Sequence, residues 1–244
     1  MTLPLKNNRA FTLVELSIVL VILGLLVGGV LTGQSLIRAA ELRAVTTEYN
    51  RYVAAAQTFR DKYFAIPVDM ANATSFWTTT SNGNGNGMLE LATGAGVTGE
   101  YAQFWNQLAL AGLVEGSYTG ISGSSTGDNI PTNSPKSKAG NAYWGAHYNG
   151  NFPGSPTWYF AGNYGNYLHV GSIFNGTWAD YPAFKPEEAW NIDTKLDDGK
   201  PSTGKVMVSG IAACTNSTGV TDTSATYALS TTSIQCGILF LNAF

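Results

Sequence analysis

The sequence predicts an α+β protein in which one long N-terminal α-helix packs on an antiparallel β-sheet head with long loops. Three features of the 244 residues carry this prediction: an apolar segment near the N-terminus, an amphipathic helical pattern directly after it, and a change of composition at Pro67. The residues beyond Pro67 are rich in Gly, Ser, Thr, Asn and aromatic rings, and they show no alternation of strands with long helices. An antiparallel sheet is therefore expected rather than a parallel one.

Composition and motifs exclude several classes of protein. Charged residues make up 12% of the chain and hydrophobic residues 44%, which excludes a highly charged disordered chain and a Glu/Lys-rich coiled coil. The formal net charge is −3 and the sequence contains no basic cluster, so no nucleic-acid partner is expected. The sequence contains no Gly-x-Ser-x-Gly, His-Glu-x-x-His or phosphate-loop motif, so no enzymatic activity is expected.

An uncharged, mostly apolar run separates Glu15 from Arg38. As a helix this run spans ~33 Å, enough to cross the hydrocarbon layer of a membrane. A cleaved secretory signal has a shorter apolar region of about 7–15 residues. A lipoprotein signal needs a cysteine just after the run, whereas the first cysteine is Cys214. A single membrane anchor that stays on the mature protein is therefore expected.

The apolar run is preceded by RAFTLVEL at residues 9–16, which resembles the class III signal of type IV prepilins and type II secretion pseudopilins. The resemblance implies that prepilin peptidase cuts after Ala10, that Phe11 becomes the N-methylated terminus, and that Glu15 aligns each subunit during assembly. Most members of the family have Gly where this chain has Ala10. Together with the apolar run, the motif covers about 30 of the 244 residues.

The resemblance also implies a pilin-like fold, a location and a set of partners. It divides the chain into a leader (1–10), a transmembrane and fibre-core helix (11–37), an amphipathic helix extension (38–66) and an extracytoplasmic β-rich head (67–244). The protein is expected to be single-pass in the bacterial inner membrane, with the head outside the cytoplasm, before it enters a pilus or pseudopilus. The implied partners are prepilin peptidase, other copies and other pilins or pseudopilins, and the inner-membrane assembly platform.

Glu15 lies at the edge of the apolar run, and a carboxylate inside a membrane span costs roughly 2.5–3.5 kcal/mol on insertion scales. A cut before Phe11 creates an α-amino group four residues ahead of Glu15, and the amine of a neighbouring copy would neutralise this carboxylate. The alternative is that Glu15 is solvated in the headgroup zone.

Four glycines within the run form two interleaved G-x-x-x-G pairs: Gly24, Gly28, Gly29 and Gly33. Small residues at this spacing let helices approach closely in lipid. The alternative is that glycine is simply more frequent in membrane helices than in soluble ones.

The helical pattern continues beyond the apolar run. It is expected to end at Ile66-Pro67, because the residue before a proline avoids helical backbone angles. One apolar stripe recurs at spacings of three and four: Leu42, Val45, Tyr49, Val53, Ala56, Phe59 and Tyr63. Charged residues, Glu48 among them, lie on the other faces, and a helix from about residue 11 to 65 is expected. In the head, the sequence predicts a short helix at 101–113, a helix start at 185–189, and strands at 158–161, 167–174, 205–211 and 234–241.

Thirteen Phe, Trp or Tyr residues lie between Tyr143 and Phe184. Aromatic rings favour strands, so packing in the sheet core and turns is one interpretation. The other is a ligand or glycan surface, which would make the chain a membrane-anchored or fibre-tip adhesin that uses residues 143–184. This adhesin is the alternative to a purely structural subunit.

The two cysteines, Cys214 and Cys236, do not fit a zinc pattern, which needs more ligands. In an oxidising compartment they are expected to pair, as in the C-terminal disulfide loop of many type IV pilins. Two reduced, buried thiols are the alternative.

An acidic loop contains Asp193, Asp197 and Asp198 next to turn glycines. No cofactor is expected. The alternative is Ca²⁺ at these three carboxylates, because Ca²⁺ prefers oxygen ligands and secretion pseudopilins often bind it in a C-terminal loop. The spacing does not match an EF-hand. A solvated turn in which Asp side chains cap the backbone is the other interpretation.

Overall fold

The computed structural model describes residues 11–90, 100–121, 130–174 and 178–244, so the predicted leader lies outside the described residues. Contacts divide the chain into two compact units, one ending at Ala40 and the other running from Glu41 to Phe244. A long N-terminal helix is followed by a five-stranded antiparallel sheet, which confirms the predicted α+β fold class.

Helix α1 runs from Leu13 to Tyr63, close to the predicted limits. It begins with a capping box, in which the backbone N–H and the hydroxyl of Thr12 both donate to Glu15 Oε2 at 2.8 Å. It ends where Phe64 adopts a positive φ of 56° while its N–H still donates to the Arg60 carbonyl at 2.8 Å. By length and composition, α1 is able to cross a membrane.

The remaining elements lie in the second unit. The helices are α2 (Glu100–Leu110), α3 (Pro186–Leu196), α4 (Ile211–Cys214) and a 3-10 turn (Ala73–Ser75). The strands are β1 (Tyr143–Phe152), β2 (Gly162–Phe174), β3 (Trp178–Tyr181), β4 (Val206–Ser209) and β5 (Gly237–Phe240).

The predicted helices at 101–113 and 185–189 correspond to α2 and α3, and the predicted strands at 167–174, 205–211 and 234–241 overlap β2, β4 and β5. The predicted strand at 158–161 is wrong, because Tyr159 makes only isolated bridges to Ser155 and Ser209.

The strand order is β1-β2-β5-β4, with β3 pairing β2, and every pairing is antiparallel. Register places Trp144 opposite Val170 and Val170 opposite Ile238. Because side chains alternate across a strand, the cross-strand pair His147 and Tyr167 lies on the other face of the sheet.

The part of α1 after Glu41 packs on the face that carries Trp144. Tyr49 stacks on Phe240 with ring centroids 4.3 Å apart, and Tyr52 meets Trp144 edge-on at 5.3 Å. Val45, Ala56 and Phe59 are almost fully buried, so the predicted apolar stripe of α1 forms one side of the core. Tyr52, which that stripe does not include, is buried beside them.

Glu48 departs from its predicted exposure, since only 7% of its surface is exposed. Its carboxylate accepts hydrogen bonds from Ser137 Oγ at 2.7 Å, the Lys138 N–H at 3.0 Å and Trp144 Nε1 at 2.8 Å. These three donors replace water around the carboxylate, which is why a charged residue is retained between helix and sheet.

Candidate functional site

The first candidate site is the N-terminal part of α1. Large apolar side chains from Phe11 to Ile37 are between 50% and 88% exposed. A continuous apolar surface of this kind marks contact with lipid or with other chains. The segment therefore has the surface of a membrane anchor or of a helix that packs against neighbouring helices.

The predicted processing and assembly residues lie at the start of this segment. Ala10 is outside the described residues, and Phe11 directly precedes the capping box. Glu15 accepts its hydrogen bonds from Thr12, which is a neutral donor, so these bonds leave the negative charge of the carboxylate in place. A β-carbon added at Gly24, Gly28, Gly29 or Gly33 meets no atom of the described chain within 4 Å. Packing within one described chain therefore does not require these glycines.

The second predicted feature is a covalent link near the C-terminus. Cys214, at the end of α4, forms a disulfide with Cys236, directly before β5, with Cα atoms 5.1 Å apart. Both cysteines are fully buried. The link closes a loop with a sequence separation of 22 residues and fixes α4 to the central strand β5.

The structure brings the three acidic-loop carboxylates together, with one oxygen atom from each within 4.8 Å of the others. Asp193 is fully buried and accepts hydrogen bonds from Tyr227 Oη at 2.8 Å and the Gly199 N–H at 3.2 Å. Burial raises the pKa of Asp193 to about 7, against the opposite effect of the Tyr227 hydrogen bond. The arrangement has the oxygen chemistry of a cation site, so Ca²⁺ stays the alternative to the expectation of no cofactor.

The same carboxylates also cap the backbone of the loop. Asp197 Oδ2 accepts from the N–H groups of Lys205 and Val206, the latter at 3.0 Å. Asp198 accepts from the Lys200 N–H at 2.9 Å and from Thr203 Oγ1 at 2.6 Å. These contacts are what the capping interpretation of the acidic loop requires.

The third candidate site is a pocket of about 370 Å³ in the aromatic-rich region. Six of its rings come from strands: Phe152, Tyr164, Tyr167, Phe174, Trp178 and Tyr181. Two more, Trp158 and Tyr159, come from the segment between β1 and β2. Core packing accounts for other aromatic residues of the region, including Trp144, Phe160 and Phe184. Residues 175–177, within the predicted region, lie outside the described residues.

Besides the tyrosine hydroxyls, the polar groups of this pocket are His147, Asn149 and Asp180. The hydroxyl of Tyr159 donates to Asp180 Oδ2. His147 stacks on Tyr101 with centroids 4.1 Å apart and makes a T-shaped contact with Trp178, with centroids 4.9 Å apart. Burial lowers the pKa of His147 to about 3, despite the opposing charge of Asp180, so the imidazole is neutral at physiological pH.

Sequence reasoning named the aromatic region but did not identify Asp180 or the pairing that forms the pocket. Strand β1 was not predicted, because Gly and Asn interrupt its alternation of apolar and polar residues. The pocket depends on β1 pairing with β2 and on β3 pairing with the end of β2. Such long-range pairings carry no local sequence signal.

Comparison with known proteins identifies the N-terminal site. A family model described as the prokaryotic N-terminal methylation motif matches residues 5–31. No match was found among curated proteins or among solved structures. The matched residues contain Ala10, Phe11 and Glu15, and they extend into the exposed apolar part of α1. The chain therefore carries the class III signal of type IV pilins and pseudopilins, which implies processing by prepilin peptidase and assembly with other pilins.

Proposed function

We propose that this protein is a structural subunit, either a type IV pilin or a type II secretion pseudopilin, that polymerises through its N-terminal helix. Prepilin peptidase removes the leader after Ala10, and Phe11 is then methylated. The observation that carries the proposal is the match of residues 5–31 to the N-terminal methylation motif. The exposed apolar side chains between Phe11 and Ile37 support it, because they need lipid before assembly and neighbouring helices after it.

Assembly gives Glu15 a charged partner that the described part of the single chain does not provide. Thr12 satisfies hydrogen bonds of the Glu15 carboxylate but does not neutralise its charge. A charge that enters a low-dielectric helix bundle is stabilised when an opposite charge accompanies it. The α-amino group of Phe11, created by the cut, is the cation that a neighbouring copy brings.

Glu15→Ala tests this role of the carboxylate. We expect the variant to enter the membrane and to form the Cys214–Cys236 disulfide, but to yield little or no fibre when sheared material is quantified by immunoblot. Glu115→Ala is the matched control, because it removes the same charge from an exposed position in the head. Normal amounts of fibre from Glu15→Ala would show that charge pairing is dispensable.

The proposed subunit is non-enzymatic, sits in the bacterial inner membrane with its head outside the cytoplasm, and is a minor rather than a major component of its fibre. The large loop-rich head of residues 67–244 supports a specialised subunit. The genes that neighbour its own gene distinguish a pilus operon from a secretion operon.

A second candidate function is ligand binding by the head, as in a fibre-tip adhesin. The specific observation is the pocket of about 370 Å³ lined by eight aromatic rings between Phe152 and Tyr181. Screening the full-length chain against glycans and small organic molecules tests this function. Hits that are lost in Trp158→Leu support it, and a screen without any hit contradicts it.

A further inference from the structure

The aromatic pocket carries an uncompensated negative charge. Asp180 is the acidic residue of the lining, and neither lysine nor arginine is found among the described residues that line the pocket. The Asp180 carboxylate accepts a hydrogen bond from the hydroxyl of Tyr159, a neutral donor whose pKa is raised by burial. His147 is also neutral at physiological pH, because burial lowers its pKa to about 3. The lining therefore has a net charge close to −1.

The aromatic wall has the same electrostatic preference as Asp180. The faces of Trp, Tyr and Phe rings are electronegative, and they attract a cation within about 6 Å of the ring centroid. Trp158 and Trp178 provide indole rings, which are the most effective in this interaction. A carboxylate and a lining rich in aromatic rings both favour a positively charged ligand.

A ligand can reach this wall from solvent. Phe174 is 41% exposed and Tyr181 is 36% exposed, and these two rings stack with centroids 5.1 Å apart. Trp158 lies against Tyr181 at 4.9 Å. The exposed rings form the rim of the pocket, while the buried His147 lies deeper in it.

We propose that this pocket binds a small, free organic cation that carries a methylated or quaternary ammonium group. The proposal rests on the second candidate function, ligand binding by the head, and it specifies the chemistry of the ligand. A volume of about 370 Å³ suits a small organic molecule rather than a polymer. Methyl groups on the nitrogen contact the rings, and the positive charge faces Asp180.

A neutral sugar fits the same lining less well. Its hydroxyl groups can form hydrogen bonds with Asn149, but they leave the charge of Asp180 without a counter-ion in a partly buried site. A zwitterionic lipid headgroup brings an anionic phosphate towards the same carboxylate. A free monocation avoids both penalties.

Calorimetric titration of the full-length chain with choline chloride tests the proposal. The detergent is a polyoxyethylene type, so that neither a sugar nor a choline headgroup competes for the pocket. The matched probe is 3,3-dimethyl-1-butanol, which has the shape of choline with carbon in place of the charged nitrogen. Phosphocholine and glucose are titrated in parallel.

We expect choline to bind about a hundredfold more tightly than its neutral isostere, since the cation–π contacts and the attraction to Asp180 each add roughly a factor of ten. Phosphocholine should bind more weakly than choline, and glucose should give no heat of binding. Equal affinity for choline and the isostere would overturn the proposal, as would tighter binding of phosphocholine. Binding of glucose without choline would overturn the ammonium ligand but keep a binding function for the head. The absence of binding by every probe would overturn the ammonium ligand and contradict the binding function, while leaving the structural role untouched.

Asp180→Asn is the decisive variant, because it removes the charge and keeps an acceptor for Tyr159. We expect it to weaken choline binding about tenfold and to leave the isostere unchanged. Asp61→Asn, an exposed aspartate outside the lining, is the control and should bind like the wild type. If Asp180→Asn does not fold by near-UV circular dichroism, Tyr181→Leu at the exposed rim replaces it. Wild-type affinity in the folded variant that is used would overturn the proposal.

Discussion

Glu48 on α1 accepts a hydrogen bond from Trp144 Nε1 on β1 at 2.8 Å, and both side chains are buried. The same carboxylate also accepts hydrogen bonds from Ser137 Oγ and the Lys138 N–H. A single side chain of the long helix therefore fixes the start of the sheet and the turn that precedes it. This contact aligns the helix extension with the sheet whose opposite face carries the aromatic pocket.

Replacement of Glu48 by Gln is predicted to destabilise the head. The amide keeps the size of the side chain but puts an NH₂ group where donors already point, so at least one buried donor loses its acceptor. We expect the free energy of unfolding to fall by about 1–3 kcal/mol. Denaturant unfolding followed by tryptophan fluorescence measures the change, with the exposed Glu115→Gln as the control. Equal stability of the two variants would remove Glu48 from this role.

The sequence predicts the parts of this fold that depend on local pattern. The limits of α1 follow from the apolar run, the stripe with helical spacing and the proline at Pro67, and the structure places the helix at Leu13–Tyr63. The N-terminal motif is recognisable because it is contiguous, and the family model matches it at residues 5–31.

The features that the sequence does not predict depend on residues far apart in the chain. The partners of Glu48 lie about 90 residues further along, at Ser137 and Lys138, so residue type alone assigns this glutamate to a solvated face. Strand β1 forms because β2 pairs with it, although its own sequence contains Gly and Asn. Conversely, residues 158–161 form an apolar run typical of a strand, but Tyr159 within it makes only isolated bridges.

Loss of the Cys214–Cys236 disulfide is predicted to destabilise the head while preserving its fold. Closing a loop of this length lowers the entropy of the unfolded chain, which stabilises the folded state by about 3 kcal/mol. The Cys214→Ala/Cys236→Ala double variant is expected to lose about this much free energy of unfolding, and therefore to unfold at a lower denaturant concentration. The wild type with the disulfide reduced should behave like the double variant. Identical midpoints for the oxidised wild type and the double variant would contradict the prediction.

The head is predicted to lose stability as the pH falls, because of His147. The pKa of this imidazole is about 3 in the fold, whereas that of an unperturbed histidine is about 6.5. Between these values the unfolded chain binds a proton that the folded chain does not, so this residue lowers the free energy of unfolding as the pH falls below 6.5. The slope for one such proton is about 1.4 kcal/mol per pH unit.

His147→Gln isolates this contribution, because the variant keeps a polar side chain that does not titrate. Glu100 and Asp193 have pKa values raised to about 7, which act in the opposite direction, but they are present in both proteins and cancel in the comparison. We expect a shallower loss of stability for His147→Gln than for the wild type between pH 6 and pH 4, measured by denaturant unfolding. Parallel pH profiles would exclude His147 as the source.

Asp197 is predicted to stabilise the acidic loop through its bonds to the backbone rather than through a metal. Its carboxylate accepts the N–H groups of Lys205 and Val206. Asp197→Ala should therefore lower the free energy of unfolding by about 1–3 kcal/mol, and by the same amount in excess Ca²⁺ as in EGTA. Asp222→Ala is the control, since this carboxylate caps the separate turn at Thr218 and Ser224. A Ca²⁺-dependent rise in the Tm of the wild type that disappears in Asp197→Ala would instead establish a calcium site.

In the proposed function, the chain becomes a fibre subunit only after its leader has been removed. Mass spectrometry of the N-terminal peptide, taken from fibres assembled in cells that contain prepilin peptidase, tests this order of events. We expect a peptide that begins with N-methylated Phe11. Assembled fibres whose subunits still begin at Met1 would contradict it.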